Sequence, residues 1–266
     1  MSDADGHHAD GPPADGPDSG APDGGPLWRS AAASTCGVQH PSNEDAYLDL
    51  PELGLWIVAD GMGGHEDGGV ASNAIVETMR RLAVPTDSLG ELVALVEEGL
   101  HRVNAALWHA GAQRERPTVI GSTVVALAAH GGHAAYLWAG DSRAYLRRGT
   151  ALYRLTRDHS LMQQMMDRKG IDEAEANRLY GPSNVITRAI GSGEGLEIDR
   201  GVVALAEGDL FLLCSDGLVK SLDETALLEL TDGSDLDEMA PHIVDCAVAA
   251  GARDDVTVLL ARRMAP

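Results

Sequence analysis

Five short apolar runs in this chain each begin or end beside an acid, and that placement constrains the fold. Asp60 directly follows residues 55–59, Asp141 follows 134–139 after one glycine, and Asp216 follows 210–214 after one serine. Asp254 instead precedes 256–261, and the pair Glu44-Asp45 precedes Ala46-Tyr47-Leu48. Runs of this length and composition read as strands. If the strands that start on acids run antiparallel to those that end on them, all six carboxylates meet at one edge. Carboxylates so gathered repel one another, and divalent cations would compensate them. Oxygen ligation without cysteine favours Mg²⁺ or Mn²⁺ over Zn²⁺. Two such ions form a clamp suited to phosphoryl hydrolysis. Taken singly, each acid is an ordinary turn residue; as a set they are not.

Around these runs the chain alternates between two periodicities. Ala71, Ala74, Ile75, Met79 and Leu82 form one helical stripe, and Leu89, Leu92, Val93, Val96, Leu100, Val103 and Leu107 form a second. Residues 123–128 and 134–139 flank His130-Gly131-Gly132-His133, and 144–147 and 152–156 flank Arg148-Gly149-Thr150, both hairpin patterns. Residues 223–230 and 236–250 read as helices. Residues 159–184 are polar and Met-rich, helical in two pieces that end at Gly181-Pro182, and read as a flap-like excursion from the sheet. Hairpin spacings imply mainly antiparallel pairing. The expected architecture is therefore α+β, two sheets with helices outside them.

Composition limits the partners. The chain of 266 residues carries 41 acidic and 20 basic side chains, a formal charge of −21. Duplex nucleic acid and anionic membrane would repel it, so neither is an expected partner. An anionic substrate needs a local positive centre. Residues 1–26 hold six Asp, six Gly and five Pro without an aromatic residue, and read as a disordered acidic tail ahead of one domain over 27–266. The three widely spaced cysteines argue against a disulfide framework. No apolar stretch reaches the roughly 18 residues of a membrane span, and the N-terminus is the reverse of a signal peptide. A cytoplasmic protein is expected.

The acids lie in distinctive local contexts: Asn43-Glu44-Asp45, Asp60-Gly61-Met62-Gly63-Gly64-His65, Gly140-Asp141-Ser142-Arg143, Ser215-Asp216-Gly217 and Arg253-Asp254-Asp255-Val256-Thr257. Together with Thr156-Arg157-Asp158-His159-Ser160 and Ile186-Thr187-Arg188-Ala189-Ile190-Gly191, they stand in one order along residues 30–263. In order and spacing they resemble the metal-dependent protein phosphatases, the PPM or type 2C family, in its bacterial serine/threonine form. The resemblance implies a four-layer α-β-β-α sandwich with a binuclear Mg²⁺ or Mn²⁺ centre at one end. It implies that Asp60 bridges the two ions, that Glu44 and the Gly61 carbonyl hold one, and that Asp216 and Asp254 hold the other. Asp45 would orient the attacking water, and Asp141 with Asp216 would hold a third ion. His65 is the candidate acid for the leaving oxygen.

The implied activity is hydrolysis of phosphoserine and phosphothreonine in protein substrates by metal-activated water, opposing a bacterial serine/threonine kinase. Pro51-Glu52-x-Gly54-Leu55-Trp56 is similar to phosphatases that counter the kinase switch of type VI secretion. One position departs from the family pattern. His40 stands where the family usually carries an Arg that grips the substrate phosphate, and Arg is a permanently charged bidentate fork while His is not. His40, Arg29 or the ions alone would have to hold the phosphate. Alternatives are a catalytically weak metal-binding regulatory module and a small phosphate-ester hydrolase. The glycines after Asp60 are expected to permit close backbone approach and positive φ. Arg143 and Arg188 read as structural, Arg188 as a buried pairing residue, and Cys214 as packing. Asp255, where an Asn is commoner, adds negative charge near the ions.

Overall fold

The computed structural model describes residues 27–38, 41–63, 67–180 and 185–265. The acidic tail, His40, His65 and the Gly181-Pro182 end of the excursion lie outside the described residues. In chain order the first half comprises β1 (Trp28–Thr35), β2 (Asp45–Leu50), a 3₁₀ turn (Pro51–Leu53), β3 (Leu55–Met62), α1 (Asp67–Leu82), α2 (Leu89–Ala112), β4 (Gly121–Ser122), β5 (Val124–His130) and β6 (His133–Ala139). There follow β7 (Arg143–Arg148), β8 (Ala151–Arg154), α3 (Leu161–Lys169), α4 (Glu173–Tyr180), β9 (Asp199–Ala204), β10 (Leu210–Cys214), α5 (Asp216–Ser221), α6 (Glu224–Leu230), α7 (Leu236–Ala249) and β11 (Val256–Arg263).

The strands form two sheets, ordered β1-β11-β10-β7-β8 and β2-β3-β5-β6-β9, with β4 paired to the end of β3. Every strand pairing is antiparallel. Side-chain alternation explains why the central strands read as unbroken apolar runs. On β3, Trp56 and Val58 point between the sheets, while Leu55, Ile57 and Ala59 point to α1 and α2. On β10, Phe211 and Leu213 point between the sheets, while Leu210, Leu212 and Cys214 join Ile243 and Leu236 of α7. A strand buried on both faces needs apolar residues at every position. The layers are thus α-β-β-α, as expected.

Both hairpins form where the spacing places them. Gly131 and Gly149 take φ of +57° and +59° in their turns, a conformation that glycine adopts without steric cost. The excursion contains α3 and α4. It leaves and returns beside the end of β6: His159 N–H donates to the Gly140 carbonyl at 2.9 Å, and Thr187 N–H to the His159 carbonyl at 2.7 Å.

β1, β4, β9 and α5 escape a reading by hydrophobic pattern, β4 because it has only two residues. β1 and β9 are edge strands with few large apolar residues: β1 is mostly Ala, Ser and Thr, and β9 opens on Asp199, Arg200 and Gly201. The short α5 has too few residues to show a period. Asp60 also lies inside β3 rather than just past it, because Gly61 and Met62 continue the strand by pairing with Ser122 and Gly121.

Candidate active site

The antiparallel order brings the six acids to one end of the sandwich. Asp45 opens β2 directly opposite Asp60 on β3. Asp141 follows β6, whose direction matches β3 across β5. Asp216 follows β10, and Asp254 precedes β11, its antiparallel neighbour.

Glu44, Asp45 and Asp60 are held by hydrogen bonds from several elements. Glu44 is buried, and its main chain is clamped on three sides. Its N–H donates to Asp255 Oδ2 at 2.6 Å, while its carbonyl accepts from Gly61 N–H at 3.2 Å and Ser72 Oγ at 2.6 Å. Asp45 N–H donates to Asn43 Oδ1 at 2.9 Å, and Asp45 Oδ2 accepts from Ser215 Oγ at 2.7 Å, a bond that joins the two sheets. Asp60 N–H donates to Thr123 Oγ1 at 3.2 Å, and its carbonyl accepts from Ser122 Oγ at 2.9 Å. Gly140, at φ +119°, turns the chain so that Asp141 follows β6.

The glycines near Asp60 serve close packing. A Cβ on Gly61 would run into the Gly68 carbonyl of α1 and lie 2.6 Å from the Glu44 carbonyl oxygen, and a Cβ on Gly68 would lie 2.8 Å from the Glu44 carboxyl carbon. Positive φ is not needed at Gly61 or Gly63, which corrects half of the sequence expectation.

The electrostatics are those of a site built to receive positive charge. Burial pushes Asp45 up to about 7, against hydrogen bonds from Thr257 and Ser215. Burial and then Asp216 push Asp141 up to about 7. Asp60 is held well above the usual carboxylate range by burial and then by Asp45, Asp216, Asp141 and Asp254. One oxygen each of Asp45, Asp141 and Asp216 is buried without a hydrogen-bond partner. Buried polar atoms are nearly always paired, and an unpaired one costs about 1–3 kcal/mol, so three in one cluster fit a cation better than a finished protein interior. The acids are gathered but not closed into a shell: among the described residues no three His, Cys, Asp or Glu side chains form a ready ion-holding group.

Lys220 is a cation inside this cluster that the sequence reading overlooked. It stands one helical turn after Asp216 on α5, bonds Asp216 Oδ2 and lies 3.2 Å from Asp254 Oδ2. Burial works against its charge, but Asp216 and Asp254 outweigh burial and hold its pKa above the ordinary value. The spacing Asp216-x-x-x-Lys220 carries that signal once a helix is assumed.

Other singled-out residues sort by position. Asp255 holds Gly37 N–H at 2.7 Å as well as Glu44 N–H, so it braces the loop into β2 besides adding charge. Arg143 is structural, binding Asp158 through Nε at 3.0 Å and Nη2 at 2.7 Å. Arg188 also pairs, with Asp199 at 2.7 Å, but its side chain is 37% exposed rather than buried. Arg29 does not reach the site. It lies opposite Arg262, six residues along β1 from the Thr35–Val256 end, about 20 Å away at strand rise, and pairs with Asp237 at 3.7 Å. Cys214 is fully buried, which pushes its thiol up to about 12.

Fold and site together define a class: an α-β-β-α sandwich that gathers carboxylates at one end of its paired sheets. The chain belongs to the protein phosphatase 2C family, whose model matches residues 36–249. Serine/threonine protein phosphatase PstP of Mycobacterium tuberculosis is 32% identical over 237 residues, covering 88% of this chain and 44% of that relative, so the chain spans less than half of that relative's length. Among solved structures, PppA, a key regulatory component of T6SS in Pseudomonas aeruginosa, matches with TM-score 0.81 and 41% identity over 89% of this chain and 97% of that one. The catalytic domain of PstP in complex with two manganese ions matches with TM-score 0.79 and 29% identity over 90% and 99%. Among the described residues no helix is long and apolar enough to cross a membrane.

Proposed function

We propose that this chain removes phosphate from phosphoserine and phosphothreonine of protein substrates, with Mn²⁺ or Mg²⁺ held by the carboxylate cluster. The observation that carries the reading is the set of three buried, unpaired carboxylate oxygens around Asp60. Glu44, Asp60 and the Gly61 carbonyl would hold one ion, Asp60, Asp216 and Asp254 a second, and Asp141 with Asp216 a third. When bound, such ions supply the positive charge that a phosphoryl group needs and make water a nucleophile near neutral pH.

The protein's own groups do the rest. Ser215 fixes Asp45 Oδ2, which leaves Asp45 Oδ1 to accept a hydrogen bond from the attacking water and orient it. His65, five residues beyond Asp60 in the chain, is assigned as proton donor to the leaving serine or threonine oxygen, and His40 as the contact to the substrate phosphate. The natural opponent is a bacterial serine/threonine kinase. The likeness to PppA and the Pro51-Glu52-x-Gly54-Leu55-Trp56 segment support a place in type VI secretion control.

The test is hydrolysis of a phosphothreonine peptide with Mn²⁺ and with EDTA, for wild type and Asp60→Ala. Wild type should turn over only with metal, and the variant should lose at least about a hundredfold in kcat while keeping its circular dichroism spectrum. Metal-independent turnover, or an active Asp60→Ala, would overturn the reading. Faster hydrolysis of a small phosphate ester than of the peptide would instead favour a small-ester hydrolase.

A further inference from the structure

Lys220 holds the two carboxylates that the proposed function assigns to one ion. Its ammonium bonds Asp216 Oδ2 and stands 3.2 Å from Asp254 Oδ2, while Asp216 Oδ1 is buried without a partner. The ammonium therefore engages one side of Asp216 and leaves the other unmet. It supplies one positive charge to a cluster of six acids, where a divalent ion supplies two. Both cannot share the same carboxylate oxygens, because like charges at that distance repel strongly in a partly buried site. A lysine head on four flexible carbons can move away; the short side chains of Asp216, at the start of α5, and Asp254, before β11, cannot.

The surroundings offer the ammonium somewhere to go. Beside it lies a cavity of about 570 Å³, lined by Arg143, Tyr145, Arg154, Asp223 and Glu224 among others. Both arginines already bind Asp158. Asp223 and Glu224 bring two acids to the same cavity, three and four residues beyond Lys220.

We propose that Lys220 is a tethered counter-cation that competes with the divalent ion for Asp216 and Asp254, and that metal loading displaces its ammonium from the cluster. In the metal-free protein it offsets part of the carboxylate repulsion. In exchange it weakens metal affinity, so the ion concentration at which the site fills is set by this side chain. The inference rests on the metal-centre reading above.

The experiment is titration calorimetry of Mn²⁺ into wild type, Lys220→Met and Lys169→Met. The chain contains only these two lysines, so the second variant controls for the change in net charge. Lys220→Met should bind Mn²⁺ on the order of tenfold more tightly, the scale on which neighbours of metal ligands act. It should also lower the melting temperature in EDTA, whereas Lys169→Met should match wild type in affinity. Equal affinity in wild type and Lys220→Met, or weaker binding in the variant, overturns the inference and leaves the metal centre standing. Mn²⁺ binding by none of the three proteins overturns both.

A second measurement needs no variant. Lysine acetylation of wild type, read by peptide mass spectrometry, should rise several-fold at Lys220 when Mn²⁺ replaces EDTA and stay constant at Lys169. Equal labelling of Lys220 in both conditions would overturn the displacement even if Lys220→Met fails to fold.

Discussion

The carboxylate of Asp255 accepts two backbone N–H groups, from Gly37 at 2.7 Å and Glu44 at 2.6 Å, and so fixes the loop that delivers Glu44 and Asp45. Asp255→Ala would leave those donors without a partner, at a cost of about 1–3 kcal/mol. Chemical denaturation should show that loss, with metal affinity falling alongside it. His159 is buried, accepts the Gly140 N–H at Nδ1 at 3.2 Å and faces Asp199 with Nε2 at 3.2 Å. Burial lowers its pKa below 6.5; Asp199 works the other way and Arg188 reinforces burial. A depressed folded pKa means that the folded state binds fewer protons than the unfolded one. The neutral His159 thus contributes stability above pH 6.5 that is lost as pH falls through its folded pKa. Melting curves between pH 7.5 and 5 should fall more steeply for wild type than for His159→Asn. At this scale the sequence revealed the acids but not their braces. Thr123 reads as the start of a strand and Asp255 only as added charge; that they and Ser215 brace the acids emerges once the fold brings distant positions together, as it does Ser215 and Asp45, 170 residues apart.

At the scale of elements, the junction of β3 and α1 carries the site. Gly61 and Gly68 let strand and helix touch with Glu44 between them. Gly61→Ala would drive a methyl group into the Gly68 carbonyl, overpacking of a kind that costs about 1–3 kcal/mol. The expected outcome is a lower denaturation midpoint together with a larger loss of metal binding than the stability change alone explains, measured by Mn²⁺ calorimetry on the folded variant. Both long helices and both hairpins were legible as periodicity because each buries one defined face or turns on a glycine, and the excursion was legible from its polar, Met-rich composition. β1 and β9 were not, since a run of small residues in β1 and an Asp-Arg-Gly opening in β9 carry little hydrophobic signature. α5 was missed for the same kind of reason, and with it the turn of helix that sets Lys220 against Asp216.

For the molecule as a whole, the layer between the sheets binds everything else. Trp28 packs on Trp56 and Phe211, with ring centroids 4.8 and 6.1 Å apart, and Phe211 is fully buried. Phe211→Ala should cost about 3–5 kcal/mol, and because both sheets share that layer, tryptophan fluorescence and far-ultraviolet dichroism should lose signal in one coincident transition; separate transitions would show that the sheets unfold independently. Sequence by itself determined which residues are acidic, which short apolar runs form strands, and that acids stand at run ends. These are local properties, written in composition and period. Their convergence depends on direction: six carboxylates meet only because the strands that start on acids run antiparallel to those that end on them, and pairing partners far apart in the chain decide direction. The tertiary structure alone decided which carboxylate oxygens are left unpaired, which glycines are pressed against Glu44, and that a lysine stands among the acids. Each of these is a distance between atoms on different elements, and no periodicity along the chain encodes it.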